Sequence, residues 1–194
     1  MTNILQQDAP ILRLHAEPVN PKDFNSPRLG KILSDMKSSL ETEEDGVAIA
    51  APQIGVPLRI FVVSHRAFTT EVSSDKTSKK EALASSQKTT IRDMVFINPE
   101  ITKLSRKKVW LPEGCLSVRW LYGEVYRAQK ATIRAYDENG KIFTRGGSGL
   151  IAQIFQHETD HLNGVLFVDH ARNVELITKE EQDRLKKEDE HDYE

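Results

Sequence analysis

Residues 149–164 read Gly149-Leu150-Ile151-Ala152-Gln153-Ile154-Phe155-Gln156-His157-Glu158-Thr159-Asp160-His161-Leu162-Asn163-Gly164. The pattern predicts a helix from about Gly149 to Leu162. Ser148 is the expected N-cap, and Asn163-Gly164 closes the helix with residues that tolerate left-handed geometry. On that helix Leu150, Ile154, His157 and His161 step by 4, 3 and 4 and share a face. The two imidazoles, one turn apart, can reach one ion. Glu158 beside them can take a proton from water on that ion. Leu150 and Ile154 then form an apolar wall next to the metal, though both also read as ordinary core.

A catalytic metal needs three protein ligands and an open position. In the long-motif metalloproteases a third histidine would follow His161 at position 167. Here that position is Phe167, and His170 comes three residues too late. Cys115 is the better candidate. It is the single cysteine of the chain, in Glu113-Gly114-Cys115-Leu116-Ser117 between predicted strands. A thiolate binds Zn²⁺ or Fe²⁺ strongly, whereas a lone cysteine without this neighbourhood would read as a buried structural thiol. His15, His65, His170 and His191 lack ligand spacing. Asp160 or Gln156 could pair with a metal-bound imidazole.

Outward from these motifs, Ile11 to Val19 reads as an extended entry. Ser26-Pro27 starts an amphipathic helix with Leu29, Ile32, Leu33, Met36 and Leu40 on one stripe, running to about Glu43. Gly46 to Gly55 reads as a loop and Leu58 to Ser64 as a buried strand. A segment at about 65–92, rich in Ser, Thr and Lys, reads as a surface insertion. Further strands are expected at Met94–Ile97, ended by Asn98-Pro99, then at Lys108–Leu111, Glu124–Tyr126 and Ala131–Tyr136. A turn at Asp137–Gly140 leads to Lys141–Thr144, and Gly146–Gly149 reads as a breaker. Leu166–Val168 suggests a short strand. The reading is one catalytic domain over 1–170, then a charged helix or tail over 171–194.

The bulk numbers restrict function. The chain has 194 residues and 38% hydrophobic content, with 27 basic against 29 acidic residues and a formal net charge of −2. That balance gives no field for nucleic acid or anionic lipid, and Arg106-Lys107-Lys108 is too short a basic run to supply one. No apolar run approaches the roughly 20 residues needed to cross a bilayer. Neither a secretory signal nor a typical transit peptide is legible at Met1–Pro10. The single cysteine fits a reducing compartment, so a cytoplasmic location is expected.

Three segments together resemble the signature motifs of the peptide deformylases, in that family's order along the chain. They are Gly46-Val47-Ala48-Ile49-Ala50-Ala51-Pro52-Gln53, Glu113-Gly114-Cys115-Leu116-Ser117, and Gln156-His157-Glu158-Thr159-Asp160-His161-Leu162-Asn163-Gly164. The likeness extends from Ile11-Leu12-Arg13 to about Val168, including Asn98-Pro99-Glu100 and Tyr126-Arg127-Ala128. It implies an α+β fold of mixed and antiparallel strands packed around a central metal-bearing helix. It implies removal of formyl from N-formylmethionine of nascent polypeptides at the ribosome. It also implies one divalent metal on Cys115, His157 and His161, with Fe²⁺ the usual ion and Zn²⁺ or Ni²⁺ as substitutes. In the same resemblance Glu158 moves the protons, while the Gln53 amide and the Leu116 backbone N–H stabilise the oxyanion. The methionine pocket maps onto Val47, Leu111, Leu150 and Ile154. Gly46, Ala48 and Gly114 flank the peptide, and Arg127 matches an arginine near the substrate backbone.

Two departures stand out. Ala48 occupies a position that is usually a second glycine. Val118-Arg119-Trp120 follows Ser117 where relatives commonly have a proline, so Arg119 and Trp120 reshape the rim. Another metallohydrolase, either protease or N-deacylase, is the alternative reading; Phe167 and the Glu113–Ser117 motif count against a protease. A non-catalytic peptide binder of the same fold would have no chemical need for Glu158.

Overall fold

The computed structural model describes residues 2–68, 92–178 and 181. The segment read as an insertion therefore lies, from 69 to 91, outside the described residues. The frame is α+β, as expected. Helix α1 (Pro27–Glu41) starts where Ser26 Oγ accepts from the Leu29 N–H and Pro27 sets the first turn. Five strands form one antiparallel sheet in the order β1 (Ala48–Ala50), β2 (Ile60–Val63), β3 (Met94–Leu104), β6 (Lys130–Tyr136) and β7 (Ile142–Ser148). A second antiparallel sheet runs β4 (Lys108–Gly114), β5 (Leu121–Ala128) and β8 (Arg172–Leu176). Helix α2 (Gly149–Leu162) has the bounds expected from its pattern.

The larger sheet is covered on both faces, which explains the unbroken apolar run Ile60-Phe61-Val62-Val63. Phe61 and Val63 pack toward α2 among Phe96, Ile151 and Phe155, with the Phe61 and Phe96 rings stacked at 4.5 Å. Ile60 and Val62 pack the other way, on Leu29, Leu33, Met36 and Leu40 of α1. A strand buried on both faces needs apolar residues at every position rather than at alternate ones. A third cluster of Leu12, Val118, Val125, Leu166 and Phe167 joins the smaller sheet to the chain after α2.

Several boundaries differ from the sequence reading, each through a contact distant in sequence. Asn98-Pro99 does not end β3; the register shifts there and the strand continues to Leu104. Asn98 adopts φ 49°, and its side-chain amide exchanges two hydrogen bonds with the Val19 backbone (2.8 and 2.9 Å). The amide replaces a strand partner, and a bulge tolerates Pro99, which has no N–H. Gly146–Ser148 extends β7 instead of breaking it, through pairing with Lys130–Thr132. Ser148 is the N-cap residue of α2, but its side chain makes no capping bond. Phe167–Asp169 is a 3₁₀ turn rather than a strand. Residues 172–176, read as the start of a helix or tail, form β8 against β5. At the end of α2, Gly164 has φ +75°, and a Cβ there would lie 2.6 Å from the Arg13 carbonyl oxygen, so only glycine fits.

Candidate metal centre and pocket

Helix α2 packs on the larger sheet and also contacts β5 of the smaller one. Cys115 enters from the end of β4. The ligand atoms of Cys115, His157 and His161 all lie within 4.8 Å of one another. Cys115 Sγ is 3.2 Å from His161 Nε2, and the Ser117 N–H donates to the same sulfur at 3.4 Å. His157 Nδ1 contacts Glu113 Oε2 at 3.0 Å, which fixes the ring and turns Nε2 toward the cluster. One thiolate and two imidazoles are a donor set suited to Zn²⁺, Fe²⁺ or Ni²⁺. The residues present therefore fit a divalent metal.

Electrostatics prepare the set. Burial pushes the Cys115 thiol up, but His161 and His157 outweigh it through charge and hydrogen bonding and bring it down to about 5. Burial disfavours the charged form of His157, yet contacts with Cys115 and Glu113 hold it well above its usual value. Burial, the dominant cause, raises the Glu158 carboxyl to about 6 against the pull of both imidazoles. Glu158 Oε2 is buried with no hydrogen-bond partner among the described residues.

A cavity of about 260 Å³ opens beside this cluster. Of the sequence-predicted site residues, Gly46, Val47, Ala48, Gln53, Gly114, Cys115 and Leu116 line it, as do Leu150, Ile154, His157 and Glu158. Gln53 is clamped: its Oε1 accepts from the Ala50 N–H at 2.7 Å, while Nε2 donates to Ser117 Oγ at 3.1 Å and lies 3.7 Å from Cys115 Sγ. Ala48 is buried in β1, so its extra methyl takes space in the cavity wall. Gly114 must be glycine for a steric reason, since a Cβ would sit 2.5 Å from the Tyr122 ring, which also lines the cavity.

The likeness to known proteins agrees with this geometry. The family model for polypeptide deformylase matches residues 1–176. The chain belongs to the polypeptide deformylase family. Deformylation of nascent polypeptides is that family's known function, and the chain is a metal-dependent hydrolase of this kind. Peptide deformylase 1A, chloroplastic/mitochondrial, of Arabidopsis thaliana is 38% identical over 169 residues, covering 87% of this chain and 61% of that protein. The Hahella chejuensis peptide deformylase is also 38% identical, covering 88% of this chain and 87% of its own length. A class I type b peptide deformylase from Acinetobacter baumannii, solved with Met-Ala-Ser bound, superposes with a TM-score of 0.71 at 29% identity. That match covers 88% of this chain and 99% of the other.

Two expected substrate residues are not among those that line this cavity. Leu111 pairs with Val125 in β4 and does not line the cavity. It precedes Cys115 by four residues, roughly 13 Å along an extended strand. Arg127 does not face the groove either. It is buried between Glu113 (2.8 and 3.1 Å) and Asp160 (2.6 Å), and so braces the carboxylate that orients His157. Asp160 and Gln156 do not touch an imidazole: Asp160 binds Arg127, and Gln156 bonds both backbone groups of Ala128. The sequence reading missed Glu113 as the partner of His157, although a carboxylate two residues before a ligand cysteine was a visible signal. It also missed Gln6, which donates to the Leu116 carbonyl at 3.1 Å and accepts from the Arg119 N–H at 3.3 Å. Arg119 and Trp120 do line the rim, and Arg119 is tied to Glu43 and Asp45 across it.

Arg127→Ala is expected to cost about 3–5 kcal/mol, because it leaves Glu113 buried without its cation; urea unfolding of the metal-free protein measures it. Acid should act on the same carboxylate. Burial alone would raise Glu113, but hydrogen bonds and charge from His157 and Arg127 hold it at about 2, below the ordinary 4.5. Its contribution to stability is then fully present above pH 4.5 and is lost as the pH falls toward 2. A Glu113→Gln variant should lack this acid-dependent loss in a melting series across that range.

Proposed function

We propose that this cavity removes the formyl group from N-formylmethionine at the start of nascent polypeptides, with Glu158 as the proton carrier. The observation that carries the reading is the meeting, in one cavity, of the Cys115–His157 edge of the metal cluster, the buried Glu158 carboxyl, the clamped Gln53 amide and the apolar Val47, Leu150 and Ile154. An unbranched thioether side chain matches such an apolar wall.

When bound to Cys115, His157 and His161, a divalent metal supplies Lewis acidity toward water and the substrate carbonyl. Glu158 accepts a proton from the attacking water on a carboxylate oxygen and delivers it to the departing amine. A carboxyl raised to about 6 exchanges protons readily near neutral pH. Gln53 Nε2 and the Leu116 backbone N–H donate to the oxygen that gains charge. Among the described residues β1 and β4 are both edge strands, and Gly46–Ala48 and Pro112–Gly114 flank the cavity. A substrate backbone laid between them can pair as an added strand. We further propose Fe²⁺ as the resident ion, with Zn²⁺ or Ni²⁺ able to replace it, and action in the cytoplasm on chains still at the ribosome.

Formate release from formyl-Met-Ala-Ser, compared with acetate release from the acetyl peptide, tests the reaction. Release of formate with at least about 100-fold preference supports the reading; equal or reversed preference makes the protein a different N-deacylase. With Fe²⁺ on a thiolate, activity should decay faster in air than under argon through oxidation of the iron or of Cys115. Equal lifetimes would assign Zn²⁺ instead.

A further inference from the structure

The basic run Arg106-Lys107-Lys108 looks too short in the sequence to bind a polyanion, but the fold enlarges it. Residues 101–112 and 125–136 contain no Asp or Glu. The β3–β4 turn and the β5–β6 turn lie side by side. The Ser105 N–H donates to the Lys130 carbonyl (2.9 Å), the Lys130 N–H to Ser105 Oγ (3.1 Å), and the Gln129 N–H to the Lys107 carbonyl (3.1 Å). Lys103, Arg106, Lys107, Lys108 and Lys130 thus share one end of the molecule. All five are exposed, and none forms a salt bridge among the described residues. In a chain of net charge −2, this end stands at about +5 and the remainder at about −7.

An aromatic platform continues from the cations. Trp110 and Tyr126 face each other across β4 and β5, 39% and 51% exposed, with ring centroids 5.2 Å apart. Lys108 Nζ lies 5.9 Å from the Tyr126 ring centre, and the Arg172 guanidinium lies 3.8 Å from that of Trp110. Arg172 is bound to Glu124, so its charge is offset, but its plane extends the stacking surface. Neither aromatic residue lines the catalytic cavity. Unpaired cations beside exposed rings on a flat sheet face match phosphates followed by an unstacked base. An anionic lipid surface would use the charge and leave the paired rings without a specific role.

We propose that the β3–β4 and β5–β6 turns, with Trp110 and Tyr126, form a binding surface for single-stranded RNA. The surface is independent of the hydrolytic site. The test is fluorescence anisotropy of a labelled 20-nucleotide single-stranded RNA of mixed sequence with the full-length, metal-loaded protein. Binding should weaken roughly 100-fold between 50 and 200 mM salt if all five cations meet phosphates. Lys107→Ala/Lys108→Ala/Lys130→Ala should remove about 2 from the salt slope. Trp110→Ala/Tyr126→Ala should weaken single-strand binding about 10-fold, with Trp110→Phe/Tyr126→Phe restoring most of it. Tripeptide turnover should be unchanged in every variant, which separates this surface from the active site and reports folding. Absence of binding at 50 mM salt, wild-type affinity in the triple variant, or tighter binding to phosphatidylglycerol vesicles than to RNA would overturn the proposal.

Discussion

Replacing Glu158 by Ala is expected to leave the metal content unchanged and to lower kcat by roughly 1,000-fold or more. Glu158 is not one of the three clustered ligands, so its loss does not open the metal cluster. Its carboxyl is buried, and Oε2 has no hydrogen-bond partner among the described residues, so no existing bond ties that oxygen away from substrate. Removing it deletes the group proposed to carry the proton while the binding walls remain. KM should therefore change far less than kcat. In the unaltered protein, activity should fall with acidity as the carboxyl, raised to about 6, becomes protonated. Glu158→Asp, which withdraws the same group by one methylene, should recover part of the rate. Wild-type turnover in the alanine variant, with metal bound, would remove Glu158 from the mechanism.

Cys115→Ser should have the second large effect, on the metal before the chemistry. The thiol is lowered to about 5 by His161 and His157 against the push of burial, so it is poised as thiolate. A serine hydroxyl offers no comparable anion near neutral pH and is a harder donor. Residues that merely orient ligands already cost 10–100-fold in affinity when removed, so loss of the ligand itself should cost roughly 100-fold or more. Elemental analysis after dialysis against a weak chelator would read this as loss of about one metal per chain. Full retention of metal would mean that Cys115 is not a ligand.

The first of these experiments rests on a residue that local pattern exposed, and the reason is geometric. Spacing by three and four on a helix puts His157 and His161 together whatever the rest of the chain does, and α2 has the bounds its pattern predicts. Local pattern also captured α1, where Ser26, Pro27 and a single apolar stripe act within a few turns. The family resemblance supplied what no local pattern could, namely the meeting of Gln53 with Cys115 across 62 residues and of Cys115 with His161 across 46.

What stayed illegible depended on partners brought in from elsewhere. The resemblance set Arg127 near the substrate backbone, and its neighbours in sequence say nothing of Glu113 and Asp160; burial made pairing with both obligatory. Asn98-Pro99 looked like a strand end because the Val19 backbone that completes it lies 79 residues away. β8 looked like tail because its five residues are exposed and gain their order only from the edge of β5. The cations at positions 103, 106–108 and 130 were individually unremarkable until two turns were hydrogen-bonded together. The sequence by itself therefore determined the metal-bearing helix and the chemistry of its ligands, because helical contacts are set by short spacings. The tertiary structure alone decided which charges are paired, which strand edges stay open and where free charge accumulates, because those depend on contacts between residues far apart in the chain.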